Sequence, residues 1–270
     1  VNGAMIITEI QRTQNTKGKL SKAFYKIDNQ VYLVKGNSKG HYEPIAEFIG
    51  SQLAQRILSQ NKLVYVPDCR LMESYYFGNV KCFDNFKYIS ATIYWGNCRT
   101  LQFQDYVNLD NKKLTAYNYL QWILSYGSDE LKMQTAIMLF IDAILGNTDR
   151  HLGNWDIDLE KQIIPGLIDF GESCLAVSWC KGKQVSVFKP DNAKPFAPTH
   201  LQQLDVIKLL ATDKLIITNP KQVVSSYLTK IIKTIDKEYR DYLFDLYSYV
   251  VNRAEYFTEI FSDYLDVRNE

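Results

Sequence analysis

Cysteine pairs are the first thing missing. Cys69, Cys82, Cys98, Cys174 and Cys180 are odd in number, and no two stand at C-x-x-C spacing. That pattern speaks against a disulfide framework and against a zinc site, and for reduced thiols in a cytosol. An excess of one charge is also missing. Lys and Arg number 31 against 30 Asp and Glu, so no global field selects the partners. A dedicated nucleic-acid binder would need one, so direct nucleic-acid binding is not expected. No apolar run approaches a membrane span, and the N-terminus carries no basic-then-apolar signal segment. These features point to the cytoplasm. Internal repeats and low-complexity linkers are absent. So are the P-loop pattern G-x-x-x-x-G-K-S/T and the glycine loop G-x-G-x-x-G.

What remains is an ordinary globular composition, 46% hydrophobic and 23% charged over 270 residues, enough for one two-lobed domain. Residues 5–35 alternate apolar and polar in short runs. Turn-prone Asn15-Thr16-Lys17-Gly18 and Asp28-Asn29 separate them, which is a hairpin pattern. A helix is expected from Glu43, with Pro44 in its first turn and Ile45, Phe48, Ile49, Leu53 and Ile57 on one stripe. Strands are expected at 63–66, 71–77 and 79–83. Behind them, Glu130–Leu145 is apolar on most faces and reads as a buried helix stopped by Gly146-Asn147. Two short strands at 163–164 and 167–168, a long loop over 172–200 and helices near 200–212, 220–236 and 238–265 complete the reading. The expected fold class is α+β: a small antiparallel-sheet lobe with one main helix (1–84) and a larger α-helical lobe (85–270).

The chemistry concentrates in Gly146-Asn147-Thr148-Asp149-Arg150-His151-Leu152-Gly153-Asn154, a polar stretch that leaves directly from the buried helix. Fifteen residues after Asn154, an apolar strand closes on Asp169-Phe170-Gly171. Phosphoryl transfer needs a carboxylate to orient the attacking hydroxyl and accept its proton. It also needs an amide oxygen and a second carboxylate to hold magnesium against the nucleotide phosphates. Asp149, Asn154 and Asp169 supply that set, and the catalytic Asp and Asn of protein kinases have the same offset. Taken singly each piece is weak: Asn147-Thr148-Asp149 could cap a helix, and Asp-Phe-Gly alone is a common turn.

The order Asp149-Arg150-His151, with Asn154 and then Asp169-Phe170-Gly171, resembles the HipA-like serine/threonine kinases and the related phosphatidylinositol kinases. The whole run 147–154 is most similar to the compact bacterial HipA-like kinases, some of them secreted effectors, and Lys194-Pro195-Phe196 also resembles that group. The resemblance implies ATP and Mg2+, with Asp149 as base and Asn154 and Asp169 on the metal. His151 would brace the loop, as a buried histidine satisfied by hydrogen bonds. Arg150 would meet a carboxylate or a phosphate; the sequence leaves both open.

In the front lobe, Val31-Tyr32-Leu33-Val34-Lys35 resembles the strand that ends in a phosphate-pairing lysine. Glu47 is favoured as its partner over Glu43, which stands at the expected helix cap. Asn15 to Lys22 occupies the place of a phosphate-covering loop, with the backbone at Gly18 and the side chains of Lys19 and Lys22 as contacts. A basic surface hairpin is the alternative. Lys81-Cys82-Phe83-Asp84 is the candidate connector, with backbone groups at Lys81 and Phe83 facing adenine. The resemblance further implies a protein substrate phosphorylated on Ser or Thr and an antitoxin-like protein partner. A monomer is expected. Ser173, Ser178 and Ser186 are candidates for autophosphorylation. A lipid or small-molecule kinase and a nucleotide-binding pseudokinase are the alternatives.

Overall fold

The structure is a computed structural model that describes residues 7–12, 22–36, 42–77, 87–94, 100–107, 115–158, 160–174, 176 and 193–269. Its front lobe is a five-stranded antiparallel sheet in the order β1-β2-β3-β5-β4. The strands are β1 (Ile7–Arg12), β2 (Lys22–Ile27), β3 (Gln30–Lys35), β4 (Cys69–Glu73) and β5 (Tyr88–Ile93). The β2–β3 hairpin turns on Asp28 and Asn29, both at positive φ (47° and 72°). These two residue types tolerate the left-handed region that a tight two-residue turn demands. One face of the sheet buries its own small core: Ala23, Tyr25, Ile27, Tyr32, Val34, Met72, Phe77, Ile89 and Ala91.

The helix α1 (Glu43–Ile57) crosses behind this sheet, yet its buried stripe of Ile45, Ile49, Leu53 and Ile57 belongs to the larger core of the second lobe. It contacts β4 and β5 on one side and a helix of the back lobe, α6 (Pro220–Ile231), on the other. The Arg56 guanidinium lies 4.6 Å over the Tyr227 ring of that helix. After it, Ser59 hydrogen-bonds Thr218 at 2.9 Å and Asn61 donates to the Ile216 carbonyl at 3.0 Å. On the sheet side, Lys87 pairs with Asp236 and Glu238, and the Tyr88 hydroxyl donates to Asp236 at 2.8 Å. The two lobes are therefore tied at both ends of α1.

The back lobe is built on α4 (Asp129–Leu145), in which almost every residue from Leu131 onward is buried. Ser128 caps its start, accepting from Leu131 N at 3.1 Å. Gly146 ends it at φ 64°, where a side chain would overlap the Tyr249 hydroxyl. Around α4 pack α5 (His200–Leu210) and α7 (Arg240–Ile260), with α6 against α7. Short elements complete the lobe: α2 (Phe103–Val107), α3 (Ala116–Tyr126) and two small sheets. One pairs β6 (Thr100–Gln102) antiparallel with β7 (Asp156–Asp158). The other pairs β8 (Leu215–Thr218) parallel with β9 (Leu265–Arg268). Among the described residues no helix is long and apolar enough to cross a membrane.

The architecture is the expected α+β one, with differences in its parts. The sheet runs past residue 84: β5 hydrogen-bonds to both β3 and β4 and stands between them, so it belongs to the front lobe. The strand expected at 79–83 lies outside the described residues. Residues 63–66 form no strand, because no ladder partner meets them, and the expected 71–77 strand stops at Glu73 and turns into a 3-10 helix over Ser74–Phe77. The strands expected at 163–164 and 167–168 reduce to a single bridge, Asp158 with Ile163, and one main-chain bond from Leu167 N to Tyr65 O at 2.9 Å.

Candidate active site

Four segments carry the expected site residues. The end of β3 brings Lys35, 3% exposed, and the middle of α1 brings Glu47, also 3% exposed. The turn after α4 brings Asp149 and Asn154, and the segment before residue 171 brings Asp169. The Lys35 ammonium is bonded to Asp169 Oδ1 and lies 3.7 Å from Glu47 Oε2. Burial opposes its charge, but the Asp169 and Glu47 carboxylates outweigh burial and hold the lysine pKa above its ordinary value. Glu43 is buried in the first turn of α1, whose cap is Tyr42.

Asp169 takes φ 65°, a left-handed conformation that Asp accepts more readily than most residues. Its neighbours are fitted closely. Gly50 of α1 lacks the Cβ that would come within 2.7 Å of Phe170 Cβ and 2.9 Å of Ser173 Oγ. Phe170 can therefore pack close against the helix.

The 146–154 turn is held from inside by ions. Arg150, 1% exposed, makes a two-pronged bond to Asp142 of α4: Nε to Oδ2 at 2.8 Å and Nη2 to Oδ1 at 3.1 Å. Its Nη1 donates to the carbonyls of Asn154 and Ile168, so one guanidinium ties α4, the turn and the strand-like approach to Asp169. Of the two partners left open by the sequence, the structure gives the carboxylate. Asn147 donates to Asp142 Oδ1 at 2.9 Å and to the Asp169 carbonyl at 3.2 Å. Asn154 donates through Nδ2 to the Asp149 carbonyl at 2.8 Å and to its Oδ2 at 3.3 Å. Those bonds fix the amide so that its oxygen, the hard donor atom, is the end left for a cation.

His151 is a correction: it is exposed, not buried. It still braces the loop, since Nδ1 accepts from Gly153 N at 3.0 Å. Among the described residues the buried histidine is His200, at the first turn of α5. Arg253 Nη2 lies 3.0 Å from its Nδ1, and because Arg only donates, Nδ1 accepts. The ring proton therefore sits on Nε2 and donates to the Asn147 carbonyl at 2.9 Å. His200, Arg253, Asp142 and Gly50 are absent from the sequence reading.

Lys194 was visible only as part of a resembling tripeptide. Its Nζ donates to Asp149 Oδ1 at 2.9 Å. Asp156, two residues beyond Asn154, lines the cleft opposite Leu33 with Lys35, Thr92, Ile93, Tyr94 and Ile168. The end of β5 and the chain leaving it thus border this space. The connector expected at Lys81 and Phe83 lies outside the described residues. So do Gly18, Lys19, Ser178 and Ser186. Lys22 pairs through its backbone with Lys35 across the β2–β3 ladder. Ser173 is fully buried and its hydroxyl donates to the Phe170 carbonyl, which removes it from the autophosphorylation candidates.

Burial, with the nearby Asp169 charge, raises the Asp156 pKa to about 6. A folded pKa above the unfolded one means stability that is present below pH ~4 and lost as pH rises to about 6. Asp156→Asn should therefore raise the stability of the protein in metal-free buffer at pH 7.5 by ~2 kcal/mol, with the gain vanishing near pH 4. Thermal unfolding across that pH range checks this; a gain independent of pH would refute it.

No family model matches the chain, and no curated protein matches it. Solved structures do. The crystal structure of the Helicobacter pylori proinflammatory kinase CtkA superposes with a TM-score of 0.55 at 16% identity, over 94% of this chain and 97% of that one. At that identity the likeness is one of fold, and it spans nearly the full length of both chains. The chain therefore has a kinase-like, two-lobed α+β fold.

Proposed function

We propose that the chain is an ATP-dependent kinase that transfers the γ-phosphoryl group to a Ser or Thr hydroxyl of a protein. The observation that carries the reading is the Lys35–Glu47–Asp169 ion cluster beside the turn of Asp149 and Asn154, which Arg150 and Asn147 tie to the backbone at Ile168 and Asp169, in a kinase-like fold. The protein acceptor rests on the resemblance of 147–154 and 169–171 to HipA-like kinases.

The site has the parts for the reaction. The apolar cleft walls, Leu33, Ile93 and Ile168, suit a flat base. Lys35, held by Glu47, is placed to pair with phosphate oxygens. Asn154 and Asp169 offer the hard oxygens that Mg2+ prefers, and that ion needs few side chains because it keeps waters and phosphate oxygens as ligands. Magnesium would supply charge neutralisation at the β- and γ-phosphates. Asp149 accepts a hydrogen bond from the attacking hydroxyl and then its proton. The new oxygen–phosphorus bond forms as the bond from the γ-phosphorus to its bridging oxygen breaks, and ADP leaves.

Incubation of the full chain with γ-labelled ATP, Mg2+ and a generic protein acceptor tests this, beside Asp149→Ala. Label on protein that falls by about 10³-fold in the variant is the expected result. Label on phosphoinositide or on a small molecule instead would move the acceptor to another class. Equal label with both proteins would remove Asp149 from the mechanism.

A further inference from the structure

The carboxylate assigned to receive the substrate hydroxyl already holds a cation. Lys194 Nζ bonds Asp149 Oδ1, and the two side chains are 43% and 31% exposed, so the pair is open to solvent rather than locked in the core. As a stabilising contact, a pair this exposed contributes little. Its position is what matters. The backbone behind it is built in: the Lys194 carbonyl accepts from the buried Gln203 side chain of α5 at 2.8 Å, and Ala193 N donates to the Pro198 carbonyl at 3.1 Å. Phe196 packs edge-on against Trp155, the residue after Asn154, at 6.5 Å between ring centres. The segment is thus fastened to the same turn that carries Asp149, while the ammonium sits at the end of a flexible stem.

Resting on the kinase reading, we infer that Lys194 is a catalytic residue that bridges Asp149 and the transferred γ-phosphoryl group. A hydroxyl docked on Asp149 lies between that carboxylate and the γ-phosphorus. A cation bonded to the same carboxylate is then within one side-chain swing of the γ-oxygens. Here residue 151 of the turn is a histidine whose Nδ1 is committed to Gly153, with Nε2 4.0 Å from Asp149 Oδ2. The ammonium therefore comes from residue 194. It neutralises charge on the γ-phosphoryl as the bond to ADP breaks, and its bond to Oδ1 sets the carboxylate against the hydroxyl. A Lys is suited to this as a compact charge on a flexible stem. Before nucleotide arrives, the same ammonium rests on Asp149, and it must share or release that contact for the hydroxyl to dock.

The test compares nucleotides that differ by one phosphate. Calorimetry with Mg2+ measures ADP and a non-hydrolysable ATP analogue on wild type, Lys194→Met and Lys194→Arg. Lys194→Met should weaken the analogue about tenfold and leave ADP unchanged, since a charge-assisted bond to the third phosphate is lost. Lys194→Arg should restore part of that preference. Label transfer at saturating ATP should fall about 10²-fold in Lys194→Met. An analogue-to-ADP preference that is the same in wild type and Lys194→Met would overturn the assignment and leave the kinase reading standing. A wild type that binds neither nucleotide would overturn both.

Discussion

Asp142→Ala should destabilise the protein by about 3–5 kcal/mol, the cost of leaving a buried charge without its partner. Both Asp142 oxygens are used: Arg150 takes one with Nε and the other with Nη2, and Asn147 shares Oδ1. The stranded guanidinium is 1% exposed and has no water to turn to. A loss of that size is a large part of a typical domain's total stability. Urea unfolding should show a lower midpoint with an unchanged slope. Removing both ions at once, as Asp142→Leu with Arg150→Met, should cost less than Asp142→Ala, because no unpaired charge remains. A double variant that is the less stable of the two would contradict this reading of the ion pair.

Lys35→Met should act first on turnover, lowering it by about 10²–10³-fold. Lys35 is the cation that joins Asp169 to Glu47, and the methionine keeps its bulk while removing its charge. Glu47 Oε1 is already buried without a hydrogen-bond partner, so the variant takes from that carboxylate the ammonium 3.7 Å from its other oxygen. A stability loss of about 3 kcal/mol should accompany the loss of activity. Turnover at saturating ATP, measured at a temperature where the variant is folded, separates the two effects. Activity within threefold of wild type would mean that Lys35 does not touch the phosphates.

The parts of the site legible in the sequence are those that lie in short polar stretches beside apolar ones. Asp149 and Asn154 share one turn after a buried helix, and Asp169 closes an apolar run, so spacing alone could join them. Lys35 and Glu47 were legible for a similar reason, as a strand end and a helix face one connection apart. Contacts between distant segments left weaker traces. Asp142 sits among Ile141, Ala143, Ile144 and Leu145; a lone carboxylate in a helix buried on all faces calls for a buried cation, and that signal could have found Arg150. Gly50 inside α1 carried a similar hint, since a helix-interior glycine usually marks a close approach. His200 and Arg253 meet across 53 residues and nothing local announces them. The sequence reading gave burial to His151, and the structure gives it to His200.

The fold shows the same division. Asp28-Asn29 marked the β2–β3 hairpin and Gly146 the end of α4, because turns and C-caps are local chemistry; the Ser128 cap at its start went unread. Strand pairing is not local. Leu63–Val66 has strand-like composition but meets no ladder partner, whereas Tyr88–Ile93 finds one on each side. The parallel pair β8–β9 joins residues fifty apart in the chain, and no periodicity in either segment reports the other.

The most direct test of the central claim is the magnesium dependence of nucleotide binding. Calorimetric titration of the full chain with a non-hydrolysable ATP analogue, with and without Mg2+, should show binding at least about tenfold tighter with the ion. In Asp169→Asn that enhancement should largely vanish. Wild-type affinity unchanged by Mg2+, or an enhancement retained in full by Asp169→Asn, would contradict a phosphoryl-transfer site built on Asp149, Asn154 and Asp169.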